Sequence, residues 1–71
     1  MITEIGIVAG EIWQILDQMD RCDVEQLCAT LKRPPELILM SLGWLCREGH
    51  IRLIRQDEGY VASLKPRVPA S

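Results

Sequence analysis

The sequence predicts a mainly helical α+β domain, three helices followed by a two-stranded β-hairpin, and three observations carry that expectation. Apolar residues recur at steps of three and four through most of residues 4–48, the spacing that paints one buried face on a helix. Gly49 then stands where the third helix must stop, because glycine takes the left-handed backbone of a helix end without steric cost. Directly afterwards the pattern turns extended at Ile51-Arg52-Leu53-Ile54-Arg55.

The first helix is expected over residues 4–19, where Ile5, Val8, Ile12, Leu16 and Met19 form the inward stripe and Trp13 and Ile15 widen it. Thr3 is placed to cap it, with Glu4 near the positive end of the helix dipole. Gly6 and Gly10 each cost roughly 1 kcal/mol relative to alanine in a helix interior, and their four-residue spacing makes a groove of small residues on one face. Asp17 to Cys22 form the first connection.

The second helix carries explicit start signals. Asp23 at the N-cap with Gln26 three residues on is a capping box, and Cys22 and Leu27 are spaced as a hydrophobic staple. Val24, Leu27, Cys28 and Leu31 form its inward stripe, and it ends near Leu31 or Lys32. Lys32-Arg33-Pro34-Pro35 is a turn, since a residue before proline is pushed out of the helical region. Pro35 suits the first position of the third helix, which runs to Glu48. Ile51–Arg55 and Tyr60–Leu64 read as strands joined by Gln56-Asp57-Glu58-Gly59. Because an isolated hairpin is unstable in water, it must lay its apolar face on the helices.

Seventy-one residues allow one domain, expected over residues 1–65, with Pro66 to Ser71 a flexible tail that lacks periodicity. No signal peptide is expected, since the N-terminus has no basic region and Glu4 and Glu11 interrupt its apolar residues. No window has the 18 or more apolar residues of a membrane span. Three cysteines, with no pair spaced C-x-x-C, point to reduced thiols and a cytoplasmic location.

Helix, helix, short turn, helix and hairpin is the order of a winged helix-turn-helix. The chain resembles a small bacterial and archaeal winged helix-turn-helix family of unknown function. The residues that carry the resemblance are Ile5-Gly6, Ala9-Gly10, Leu42-Gly43-Trp44-Leu45 and Glu48-Gly49-His50-Ile51, spread over residues 3–64. Ser41 stands where that family tends to have alanine, and His50 where it tends to have lysine. The resemblance implies the fold and a regulatory or DNA-binding role.

Charge limits that role. The net charge is -2, whereas a dedicated nucleic-acid binder has a basic excess, so any DNA contact must rest on local clusters. The candidate phosphate-contacting residues are Lys32 and Arg33 in the turn, Arg47 near the end of helix three, and Arg52 and Arg55 in the wing. If Ile38, Ser41, Leu42 and Leu45 face the core, the outward face of helix three offers Arg47 as its one strong base-reading group. Leu37, Met40 and Trp44 would form an apolar strip there, a candidate interface for a second copy or another protein. The other reading folds Trp44 back against the wing or first helix to complete a small core. Two functions follow: a DNA-associated or transcription-related module held mainly by phosphate contacts, or a protein-interaction or dimerisation domain without DNA binding.

Catalysis has no foothold, because the single histidine accompanies no nucleophile in a recognisable motif and no glycine-rich loop follows a strand. Cys46 and His50 have a metal-ligand spacing, but Gly49 breaks the helix between them and further ligands would have to come from Cys22 or Cys28, which have packing roles. No metal or cofactor is therefore expected.

Overall fold

Six elements follow one another in the computed structural model, which describes residues 2–57 and 59–65: α1 (Ile2–Gln18), β1 (Cys22–Asp23), α2 (Val24–Leu31), α3 (Pro35–Arg47), β2 (Ile51–Gln56) and β3 (Gly59–Leu64). The tail expected at 66–71 lies outside the described residues, as does Glu58 of the hairpin turn. Helix α1 begins at Ile2, so Thr3 sits inside its first turn and is not its cap.

The start of α2 forms as its local chemistry dictates. The Asp23 carboxylate accepts from the Gln26 backbone N–H at 2.7 Å, and the Asp23 N–H donates to Gln26 Oε1 at 3.0 Å. A capping residue has extended backbone, and at Asp23 (φ -85°, ψ 170°) that geometry has a second use. Cys22 and Asp23 pair antiparallel with Ala62 and Val61, adding a third strand to the hairpin in the order β1-β3-β2. The two-stranded sheet expected from sequence is thus three-stranded. Two residues are too few to leave any periodicity that announces a strand.

Lys32, in left-handed conformation at φ 55°, ends α2. Pro34 accepts from the Leu37 and Ile38 N–H groups, both at 3.1 Å, and so stands in for a side-chain cap on α3. At the other end Gly49 (φ 80°) closes a Schellman motif: its N–H donates to the Cys46 carbonyl and that of His50 to the Leu45 carbonyl, each at 3.0 Å. The chain leaves the motif with Ile51 fully buried, which fixes the hairpin on the helices. The ladder runs from Ile51↔Leu64 to Gln56↔Gly59, one pair longer than the four-residue turn expected from sequence allows. Asp57, at φ 52°, supplies the left-handed residue that so tight a connection needs.

Val8, Ala9, Ile12 and Leu16 of α1, Cys22, Leu27, five positions of α3, Ile51 and Ala62 make the core. Two sequence expectations fail here, and one open alternative is decided. Met19 and Trp13 are exposed, so the α1 stripe is narrower and runs through Ala9. Leu37 is buried, not part of an outward strip: α1, α2 and β2 all pack on α3, so its inward arc is wider than a single neighbour would require. Trp44 stays 47% exposed, since it falls outside the arc of Leu37, Ile38, Ser41, Leu42 and Leu45 that α3 turns to the core, and the reading that folds it back is not the one the structure takes. Ser41 is fully buried, and its hydroxyl donates to the Leu37 carbonyl at 2.8 Å, which satisfies it within its own helix.

Candidate nucleic-acid interface

In a helix-turn-helix the second helix of the pair presents its outward face to the major groove. On α3 that face is a ridge of Glu36, Gly43 and Arg47, residues seven and four apart. Met40 and Trp44 flank it on one side, with Leu39 and Cys46 on the other, and all four are exposed. The ridge therefore holds one carboxylate, one guanidinium and, at its middle, a residue without a side chain. A Cβ placed on Gly43 would meet nothing within 4 Å, so nothing inside the domain requires glycine there. What a helical glycine does provide is close approach of another molecule to the backbone.

The five basic residues singled out in the sequence do not converge on one patch. Arg33 is turned back on α1: its Nε and Nη2 donate to the two Glu11 carboxylate oxygens, both at 3.3 Å, with both side chains about one-third exposed (34% and 36%). Sequence reading missed this pair, because 22 residues separate the partners and no local signal joins them. Lys32 is exposed in the turn, and Arg47 is exposed on the ridge. In β2, Arg52 and Arg55 are both exposed but three residues apart, so they lie on opposite faces of the wing. Arg55 shares its face with Ile51 and Leu53 and pairs with Tyr60; Arg52 shares the other with Ile54 and pairs with Ser63.

A groove of about 700 Å³ opens where the start of α2, the first turns of α3 and the wing tip meet. Its apolar lining includes Val24, Cys28, Pro35, Leu39 and Tyr60, and its charged lining is Asp23, Glu25 and Asp57. Among the described residues that line it there is no lysine, arginine or histidine.

The thiols are graded by depth: Cys22 is buried, Cys28 half-buried and Cys46 exposed. Burial pushes the Cys22 thiol above its ordinary pKa, and the adjacent Asp23 carboxylate pushes it the same way. Among the described residues no group of three or more His, Cys, Asp and Glu side chains is placed to hold a metal ion. No helix among them is long and apolar enough to cross a membrane.

A helix pair joined by a three-residue turn, with a wing set on its second helix, is what comparison with known families also returns. Residues 1–64 match the family described as winged helix-turn-helix domain (DUF2582). The chain belongs to this family. The uncharacterized protein MJ1608 of Methanocaldococcus jannaschii is 28% identical over 64 residues, covering 87% of this chain and 91% of that protein. Winged helix-turn-helix domains generally bind nucleic acid and are typically non-catalytic. In this winged helix-turn-helix domain, the residues facing outward from α3 set what kind of binding is open to it.

Proposed function

We propose that this chain is a non-catalytic, cytoplasmic winged-helix module that associates with double-stranded DNA, mainly through phosphate contacts. The observation that carries the reading is the unobstructed ridge of α3, open at Gly43 and ending in Arg47, with exposed cations beside it in the turn (Lys32) and on both faces of the wing (Arg52, Arg55). Arg33 serves DNA only after leaving Glu11. Sequence-specific readout is not part of the proposal, since only Arg47 and Glu36 on the ridge can hydrogen-bond a base edge, too few to read a site.

A gel-shift titration with random-sequence duplex at two salt concentrations tests it. With about three phosphates neutralised, the log–log salt slope is about -3 and the affinity falls in the range of about 10⁻⁴ to 10⁻⁶ M. No binding at low salt overturns the reading.

A second reading, a protein-interaction or dimerisation domain, is favoured by a different observation. Met40 and Trp44, 39% and 47% exposed, lie together on one flank of α3, two large apolar groups open to a partner. Sedimentation at rising concentration tests self-association through this helix or α1. A monomer throughout removes the dimer.

A further inference from the structure

The groove at the wing tip faces away from any role for phosphates. Among the described residues its charged lining, Asp23, Glu25 and Asp57, is all carboxylate, and a DNA backbone brought there would meet like charge. The walls are apolar and unfilled: Leu39 is 45% exposed and Tyr60 41% exposed although both line the same depression.

One wall of the groove is also an open strand edge. Among the described residues strand β1 pairs with Val61 and Ala62 alone, whereas β3 begins at Gly59. Among the described residues Gly59 and Tyr60 therefore have β2 on one side and no strand on the other, where the chain turns into α2 at Val24 immediately after Asp23. A strand edge beside apolar pockets is the arrangement that accepts an extended peptide, with main-chain hydrogen bonds giving affinity and side-chain pockets giving selectivity.

We propose that this groove docks an extended segment of a partner protein, one with an aliphatic side chain flanked by lysine or arginine. The aliphatic group fills the space between Val24, Cys28 and Leu39, and the strand edge at Tyr60 holds the segment's backbone. The flanking cations face Glu25 and Asp57. Charge complementarity decides the occupant: an acidic segment or a nucleic acid is repelled, and a neutral one leaves the carboxylates unanswered. The proposal does not rest on DNA binding, and failure of the gel-shift test leaves it standing.

The test is selection from a displayed heptapeptide library on the full chain, followed by amide chemical-shift mapping with the enriched peptide. The expected result is enrichment of sequences with a lysine or arginine within two positions of an aliphatic residue, and shifts at Val24, Cys28, Leu39 and Tyr60. In the double variant Glu25→Gln, Asp57→Asn the same peptide binds about fivefold more weakly. Asparagine tolerates the left-handed backbone at position 57, so the hairpin is kept, and circular dichroism verifies the fold. Should the double variant unfold, Glu25→Gln alone carries the comparison. Enrichment of acidic or neutral sequences, no enrichment at all, equal binding by the variant, or shifts confined to α1 each overturn the proposal.

Discussion

Replacing Gly43 with alanine separates what the third helix needs for folding from what it offers a partner. The position lies inside α3, is exposed, and has ordinary helical backbone; the one glycine with positive φ is Gly49. A Cβ there meets nothing within 4 Å, so alanine brings neither clash nor new burial, and only the backbone preference changes. That preference is worth about 0.5–1 kcal/mol in favour of alanine. For a domain of this size, 1 kcal/mol moves the thermal midpoint by roughly 4–8 °C, so the expected rise is about 2–8 °C. In urea, where a small domain has an m-value of about 1 kcal/mol/M, the midpoint rises by about 0.5–1 M. Gly6 and Gly10 in α1 are equally open, and the triple alanine variant should gain about 1.5–3 kcal/mol if the sites act independently. The same Gly43→Ala chain should bind duplex DNA more weakly, since the methyl group stands on the ridge that must approach it. A more stable protein that binds less is the expected pair of results. An unchanged or lowered midpoint would refute the claim that nothing within the domain uses this glycine.

Glu11→Gln breaks the ion pair with Arg33; because both partners are about one-third exposed, the loss of stability is at most about 1 kcal/mol by urea titration. The freed guanidinium should steepen the DNA salt slope by about 0.9, and an unchanged slope would show that Arg33 does not reach the backbone. Arg52→Ala and Arg55→Ala distinguish how the wing sits: if it inserts between two phosphate strands, each variant lowers the slope by about 0.9, whereas a wing lying along one strand responds to only one of them. Alkylation followed by mass spectrometry should modify Cys46 first, Cys28 next and Cys22 last, since the reactive thiolate is disfavoured where burial holds the proton on. Because the folded chain prefers the neutral Cys22 thiol, its contribution to stability is intact below the ordinary thiol pKa of about 8.5 and is lost as pH rises through the higher folded value, which urea midpoints from pH 7 to 10 would record. Ser41→Ala should be neutral or stabilising by about 0.5 kcal/mol, since the hydroxyl donates to a carbonyl of its own helix; a loss above 1 kcal/mol would contradict that.

The parts of this fold legible in the sequence are those written in neighbouring residues. Asp23 with Gln26, Pro34-Pro35 and Glu48-Gly49 each determine a helix boundary through atoms at most a few positions apart, and the structure keeps all three. Features that depend on distant partners were not legible. Strand β1 exists because β3 lies beside a capping residue, and the fate of Leu37 follows from three elements closing on α3 at once. The candidate site divides along the same line. Exposure of Lys32, Arg47, Arg52 and Arg55 accords with their charge, but the tie between Arg33 and Glu11 and the opposed faces of Arg52 and Arg55 are properties of the assembled chain. A period of two did hold the second fact in plain view. Arginines three apart on a strand cannot share a face, and treating the wing as simply basic passes over that.

The electrostatic arrangement ties the two proposed surfaces to one another. On the α3 ridge Glu36 offsets Arg47, so DNA affinity must come from a few cations set around it and stays in the weak range set by about three phosphates. A module of that kind occupies DNA usefully only when something raises its local concentration, for a tethered second contact can multiply apparent affinity by about 10² to 10⁴ without any new contact to the first site. The groove between α2 and the wing tip has the opposite charge preference to the cations around the ridge, so a basic partner segment and a duplex would not be drawn to the same surface. Leu39 borders both, lining the groove and flanking the ridge on α3.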